Sequence, residues 1–525
     1  RDVVLLNNDV VVDAHWLSDM LEALERTPHA GIVGPVTNQI SGRQKAECPE
    51  YAGVADLPVF AAAWRKRHRH QRTFAPRVVG FCMLMRASLL DRIGALDESF
   101  GTGNFEDDDL CLRAELAGQR NLIAADVFIH HYGSRTFIGN GIDHGVMMTR
   151  NRGRFAEKWH QPNATDARGR RVLLLEALEK ALVLDHTGRL QDAVELSLEA
   201  IRLMPAETTP YLALACMLVR AGHPKDALDV LRNLPSGLTD ARARLLAARA
   251  QFALGEVAAA ARLVDSVDDD REVRGRALNM KGLIAHQMGD RDVATSCFNA
   301  AIAADRGYGE PYAHLGALLW AREPGNAAFV LFEHGLALSP ESPETLDFLC
   351  TAAKALGQTA NAIRLVREAR GLHPVHRGLT FALIDLLLSE GRHDEAMAEI
   401  ENALEWFELE EGLLRAALNV RAKVGPKRLA AEHTSGGTLA VVMITKNEAG
   451  NLVRSLRSVA PVADELIVLD TGSMDRTTDI AAALGAQVSA FEWTGDFAAA
   501  RNASLAAATA DWVRKSFMLN SRSPT

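Results

Sequence analysis

Apolar and polar positions change period twice along the 525-residue chain. In the first 160 residues the apolar runs are short and set between turns. Arg1 to Leu6 reads as a buried strand that enters the polar turn Asn7-Asn8-Asp9, and a second apolar patch follows at Val10 to Val12. A helical period spans about His15 to Arg26. Further strands are predicted at Gly31 to Pro35 and at Val78 to Arg86, and a helix at Asp107 to Ala117 is closed by Gly118. The run LIAADVFIHHYGS adds another strand, and the whole is an α/β pattern that begins in mid-domain.

The middle of the chain is helical and repeats. Alanine returns at positions 193, 227, 260, 294, 328, 362 and 396, at intervals of 34, 33, 34, 34, 34 and 34. Gly188, Gly222, Gly255, Gly289, Gly357 and Gly391 each precede it by five residues, and Pro205, Pro340 and Pro374 follow it by twelve. Glycine suits a left-handed helix end, alanine a close helix crossing and proline a helix stop. The unit is therefore helix-turn-helix, stacked in series. One unit departs: Glu323 takes the turn glycine's place, followed by Pro324 and Gly325, which predicts a distorted turn.

Gly425-Pro426 and Ser435-Gly436-Gly437 mark a linker, after which strands and helices alternate again. Strands are predicted at Leu439 to Ile444, Glu465 to Leu469 and Gln487 to Phe491, with helices at Gly450 to Val459 and Thr477 to Leu484. That alternation implies a parallel sheet.

Composition narrows the class without naming a partner. Hydrophobic residues make up 48 % and charged residues 24 %, ordinary for globular domains, and the net charge of -9 argues against general nucleic-acid binding. The six cysteines are scattered without a C-x-x-C pair, which disfavours a disulfide framework or zinc cluster and suits a reducing compartment. No 18-residue apolar run and no signal-peptide pattern is present, so a cytoplasmic location is predicted. Arg1 is not an initiating methionine, and a targeting segment ahead of it stays open.

Three clusters in the first segment carry candidate chemistry. Asn7-Asn8-Asp9 ends a strand, where a carboxylate can hold a divalent cation, although such a triplet is also an ordinary turn. Glu106, Asp107, Asp108 and Asp109 open a helix; one or two acids suffice for capping, and a carboxylate crowded by like charges has its pKa raised, as suits a general base. His130-His131 end an apolar strand, where an imidazole is either a metal ligand or structural. The basic run from Trp64 to Arg72 reads as a solvated helix face or as a phosphate contact.

The Gly, Ala and Pro offsets, with Gly282 and Gly316, resemble the tetratricopeptide repeat across residues 170–425, about seven repeats. The segments LLNNDVVVDAHWL, GFCMLMRASLLDRIGALDESF, EDDDLCLRAELAG and IHHYGS resemble, in that order, the metal and acceptor half of family 2 glycosyltransferases, which have the GT-A type of fold. The resemblance implies Asp9 and Asn7 as the metal motif, Asp107 as the base with Glu106 and Asp109 on the acceptor side, and His130, or with less support His131, as a further metal ligand. VVMITKNEAGNLVRSLRSV, DELIVLDTGSMDRTTDIAA and FEWTGDFAAARNASLAAATADWV resemble the nucleotide-binding half of the same fold. There the resemblance implies Thr445, Glu448, Asp470, Asp475, Arg501 and Asn502 around the donor. The fold class is then α/β plus all-α, a helical solenoid between two partial GT-A modules.

These halves occupy residues 1–160 and 438–513, and 514–525 depart from the family pattern, with no acid after Asp511. The implied activity is transfer of a sugar from a nucleoside diphosphate to an acceptor hydroxyl of a cell-surface polysaccharide or protein. It would be inverting and would use Mg2+ or Mn2+. The simplest account of complementary halves is a piece of a longer protein with two complete modules, inactive on its own; the alternative is one composite site formed by the two ends. A noncatalytic scaffold, with a protein partner in the repeat groove, is the rival from another class.

Overall fold

The first segment is a sheet of strands β1 (Asp2–Leu6), β2 (Val10–Val11), β3 (Ala30–Thr37), β4 (Arg72–Phe74), β5 (Cys82–Arg86) and β6 (Arg120–His131). A computed structural model of the chain describes residues 2–40, 42–46, 51, 53–101, 104–132, 144–159, 167–235, 237–267, 273–373, 375–407, 409–425, 438–510 and 512–516. It divides into two compact units, Arg1–Leu379 and Thr380–Thr525.

In the first unit the strand order is β1-β5-β3-β6-β2, with β4 also on β6. β3 and β6 run parallel, and β1, β5, β2 and β4 join antiparallel. β6 is apolar almost throughout because helices cover both of its faces. Leu122, Ala124, Val127 and Ile129 pack with Met20, Ala23 and Leu24 of helix α1 (Trp16–Arg26). Ile123, Ala125 and Phe128 pack with Leu57 and Trp64 of helix α2 (Leu57–Arg67).

The face assignment changes parity between Ala125 and Val127. The register with β3 jumps there from Pro35 opposite Ala124 to Val36 opposite Phe128, so Ala125, Asp126 and Val127 bulge out without β3 partners. The Asp126 carboxylate accepts the His70 amide (2.9 Å) and bonds the Arg72 guanidinium. Three arginines of the basic run are paired, Arg65 with Asp13 and Asp19, Arg67 with Glu368, and Arg72 with Asp126, while Lys66 and Arg69 are exposed.

The predicted strand from Val78 forms only from Cys82 onward. Its first three amides are diverted to side chains: Val78 N–H to Cys111 Sγ (3.3 Å), Val79 N–H to Gln44 Oε1 (2.7 Å) and Gly80 N–H to Asp107 Oδ2 (2.8 Å). Three helices complete the segment, α3 (Ala87–Ile93), α4 (Glu106–Leu116) and α5 (His144–Trp159).

Helix pairs fill the rest of the first unit, from Ala167–His186 to Thr359–Leu372. All seven ladder alanines have zero exposure, each in the first turn of the second helix of its pair. The six turn glycines have φ between +66° and +86°, a region that side chains avoid. At the departing unit, Glu323 and Gly325 are extended (φ -149° and -178°), so no left-handed residue is needed. The helices end at Leu203 and Leu338, two residues before Pro205 and Pro340; Pro374 lies outside the described residues.

The α/β segment rests on this array. Leu372 shares a core cluster with Leu57, Trp64 and Phe128, and Glu368, whose side chain is 10 % exposed, binds Arg67 and His68.

In the second unit, helices His393–Trp406 and Glu411–Val424 share one apolar core with the following α/β segment, where Ile400, Leu414 and Ala417 meet Val441, Leu452 and Ile480. Its strands are β7 (Leu439–Thr445), β8 (Glu465–Asp470), β9 (Gln487–Ala490) and β10 (Trp512–Ser516), in the order β10-β7-β8-β9 and all parallel. Arg514 to Ser516 therefore pair with Val441 to Met443 as part of the sheet. The glycine-rich linker from Pro426 to Gly437, Asp511 and residues 517–525 lie outside the described residues.

Candidate functional site

Asp9 follows β1 and precedes β2, whose pairing with the end of β6 sets Val10 opposite His131 and Val11 opposite His130. The imidazole that meets Asp9 is His131: its Nε2 lies 3.3 Å from Asp9 Oδ1. His130 points to the other face, where its Nδ1 is 2.5 Å from the Tyr51 hydroxyl. The structure thus sets His131, and not His130, beside Asp9, and the bulge at residues 125–127 is the physical reason. With unbroken alternation, His130 would lie on the face of Leu122 and Ala124.

His131 is held from three sides. Asn38 bonds its backbone N–H and C=O (2.8 and 3.1 Å), Phe81 stacks on the ring at 5.2 Å, and Nδ1 lies 2.8 Å from the Gln39 carbonyl. A carbonyl only accepts, so Nδ1 carries a proton toward it and Nε2 is the ring nitrogen turned to Asp9. That buried Nε2 has no hydrogen-bond partner among the described residues. A carboxylate oxygen and an imidazole nitrogen thus face each other at 3.3 Å. Asn7 is exposed, and its amide bonds the Phe81 carbonyl (2.9 Å).

The acidic run joins the same place through residues 79–81. Asp107 is buried at the start of α4, with Oδ2 accepting the Gly80 amide (2.8 Å) and Oδ1 the Asp108 amide (3.0 Å). Two non-glycine residues with positive φ, Asn104 (69°) and Phe105 (77°), lead into it, a conformation that stores strain. Asp108 pairs with Arg77 at 3.1 Å, and burial, then the charge of Asp107, pushes its carboxyl up to about 6. Burial, then Asp107, also raises Glu106, whose Oε2 is buried without a partner among the described residues.

Asp109 lies on the buried side of α4. It has no exposed surface, and its oxygens bond Arg113 Nε (2.8 Å), Trp159 Nε1 (2.8 Å) and Lys158 Nζ (2.7 Å). Helix rotation of about 100° per residue turns it inward, where it ties α4 to α5.

In the second unit four of the six donor-side candidates meet at the carboxyl edge of β7 and β8. Thr445 lies opposite Asp470 in register. The Asp470 carboxylate accepts Gly472 N–H (3.1 Å), Ser473 N–H (2.9 Å) and the Ser473 hydroxyl (2.5 Å). Asp475 accepts Ala449 N–H (3.1 Å) and Thr477 N–H (3.0 Å), while Thr477 Oγ1 receives the Glu448 amide (2.8 Å). These bonds fix the two strand-to-helix turns against each other. The buried Thr445 Oγ1 is without a hydrogen-bond partner among the described residues. Arg501, half-buried, and Asn502, exposed, sit on the separate helix Phe497–Ala506, which packs on β7 and β8.

Residues 1–142 match the family model for a glycosyltransferase like family 2, and residues 440–514 the model for glycosyl transferase family 2. Both flanking segments thus match models of the family 2 glycosyltransferase type. Residues 275–308 match the tetratricopeptide repeat. A TPR repeat-containing protein of Synechococcus elongatus is 52 % identical over 75 residues, 14 % of this chain and 19 % of that protein. An uncharacterized glycosyltransferase of Rickettsia bellii is 46 % identical over 57 residues, 11 % of this chain and 19 % of that one. An uncharacterized protein of Sinorhizobium fredii is 32 % identical over 143 residues, 25 % of this chain and 16 % of its own. The chain thus spans less than a fifth of these curated relatives.

Among solved structures, yeast Tom70 aligns with a TM-score of 0.36 at 18 % identity, over 52 % of this chain and 58 % of that one. Pseudomonas aeruginosa pilF aligns with a TM-score of 0.28 at 18 % identity, over 39 % and 94 %. No helix among the described residues is long and apolar enough to cross a membrane.

Two features of the site escape the sequence reading. Asn38 and Gln44, which hold His131 and Val79, lie in a stretch without periodicity, and the bulge at Asp126 is invisible to a period-2 count.

Proposed function

We propose that this protein transfers a sugar from a nucleoside diphosphate donor to an acceptor hydroxyl on a cell-surface polysaccharide or protein, by single displacement with inversion. The observation that supports this most is the facing carboxylate and imidazole of Asp9 and His131, joined to Asp107 through Gly80 and Phe81. An oxygen and a nitrogen ligand atom 3.3 Å apart fit a shared Mg2+ or Mn2+. A divalent ion bound there offsets the charge on the departing diphosphate. Asp9 and His131 would hold it, with Asn7 alongside.

Asp107 is the base in this reading. Each oxygen accepts one backbone amide and keeps a lone pair, so the carboxylate is oriented and still able to take the acceptor's proton. As the acceptor oxygen bonds the anomeric carbon, the bond to the diphosphate breaks and its electron pair leaves with the phosphate. In the second module, the edge at Thr445, Glu448, Asp470 and Asp475 would take the nucleoside, with Arg501 and Asn502 nearby on their helix. The repeats would present the acceptor.

Mn2+ titration followed by electron paramagnetic resonance tests the metal assignment. Asp9→Asn and His131→Gln should each weaken binding at least tenfold, whereas His130→Gln should not. Asp107→Asn should bind Mn2+ normally and lose sugar transfer from the parent protein. Equal Mn2+ affinity in all the variants would sink the reading.

A further inference from the structure

A second place in the first unit gathers ligating side chains, and it lies within the repeats. His186 ends the helix Ala167–His186, Glu341 sits in the turn between Asn326–Leu338 and Pro343–Leu356, and His373 caps Thr359–Leu372. The chain separates them by 155 and 32 residues, yet one ligand atom from each lies within 4.8 Å of the other two. The array turns far enough to bring its first turn onto its fifth and sixth units. Gly188 belongs to the same contact, since a Cβ there would come within 2.9 Å of Arg377 Cδ.

The distances suit an ion. Glu341 Oε1 is 3.5 Å from His186 Nε2 and 3.2 Å from His373 Nδ1. Ligand atoms at about 2.0–2.1 Å from a tetrahedral centre stand about 3.3 Å apart. The two imidazoles are buried, their side chains 8 % and 4 % exposed, and His186 Nε2, the atom that faces Glu341, lacks a hydrogen-bond partner among the described residues. Glu341 is aimed by Arg220, whose Nη1 is 3.7 Å from Oε2, and Asp185 binds that same guanidinium and balances its charge. Oε1 is left toward the histidines.

His376 stands beside the cluster, 5.0 Å from the His186 ring. Its Nδ1 accepts the Leu379 amide at 3.3 Å, so it caps a helix and is not counted as a ligand. A neutral imidazole is the form that ligates.

We propose that His186, Glu341 and His373 form a site for a Zn2+-type divalent ion that clasps the first repeat to the fifth and sixth. On binding, the lone pair of His373 Nδ1 bonds the ion while that ring's proton is carried on Nε2. A solvent molecule fills the fourth position. The site is separate from the Asp9 and His131 pair and does not depend on it.

Cobalt titration of the full chain reads the site directly, because tetrahedral Co2+ absorbs in the visible and a hydrated ion absorbs only weakly. All samples carry Asp9→Asn, so that the other candidate site is silent. One equivalent of Co2+ should give the visible band, one equivalent of Zn2+ should displace it, and Zn2+ should raise the melting temperature. His186→Gln, His373→Gln and the near-isosteric Glu341→Gln should each weaken Co2+ binding at least a hundredfold, with helical circular dichroism unchanged. If a histidine variant misfolds, Glu341→Gln decides. Absence of the band in the parent sample, or a band of equal strength in Glu341→Gln, overturns the assignment.

Discussion

Asp107, Asp108 and Asp109 are consecutive, and the helix sends them to three different environments. Asp107 is oriented by two amides, Asp108 is paired with Arg77, and Asp109 is enclosed by Arg113, Trp159 and Lys158. A run of acids is legible in the sequence, but which one faces solvent depends on what α5 and residues 77–80 bring against them. The environment of Asp108 has a measurable signature. Its carboxyl holds a proton up to about 6 against an ordinary 3.8, so the folded state binds that proton more tightly than the unfolded chain. This contributes stability below about pH 4 that is lost as pH rises through 6, up to about 2–3 kcal/mol. Asp108→Asn should flatten that stretch of the pH profile. Melting temperatures of both proteins at pH 4, 5, 6 and 7 check it, and parallel curves would reject it.

Among elements, the repeats were the most legible and β6 the least. Each ladder alanine is buried and each turn glycine left-handed because the same packing problem recurs in every unit. Even the departing unit was readable as such, though not the form its turn takes. Glycines that look alike in sequence should therefore respond differently to substitution. Gly255→Ala forces a side chain to φ +79° and should destabilise by about 1 kcal/mol. Gly282→Ala sets a methyl 2.4 Å from the Phe298 ring and should also destabilise, although alanine favours a helix by about 1 kcal/mol. Gly325→Ala meets nothing within 4 Å and an extended backbone, and should be neutral or stabilising by up to about 1 kcal/mol. Urea unfolding of the three variants separates these outcomes. In β6, by contrast, a bulge of three residues, an odd number, exchanges the faces of His130 and His131. Alternation counts residues and takes no account of register, so only the pairing with β3 and β2 shows which histidine meets Asp9.

At the scale of the molecule, the α/β-helical-α/β order is legible from changes of period alone, while the division into units is not. That division falls at Leu379 and Thr380, inside the repeats, because the last helices share their core with the second α/β segment. A ligand of one module should thus protect repeat helices that belong to its unit. Hydrogen exchange with a panel of nucleoside diphosphates should show slower exchange at residues 445–477, with protection extending into 393–424. Asp470→Ala should abolish both. At a ligand concentration of 100 times Kd the gain is about 2.7 kcal/mol. Protection of the strand edge without the helices would show that the shared core does not transmit binding.

The seat of the first α/β segment on the array also bears on how the chain is made. Phe128 and Trp64 are covered in part by Leu372, which leaves the ribosome 244 residues after Phe128. At about 5–20 residues per second that is a delay of roughly 10–50 s. Throughout it, a patch centred on Trp64, Phe60 and Phe128 has its sheet but not its cover. The nascent chain must pass through that interval with an aromatic surface open to chaperones or to a neighbouring polysome.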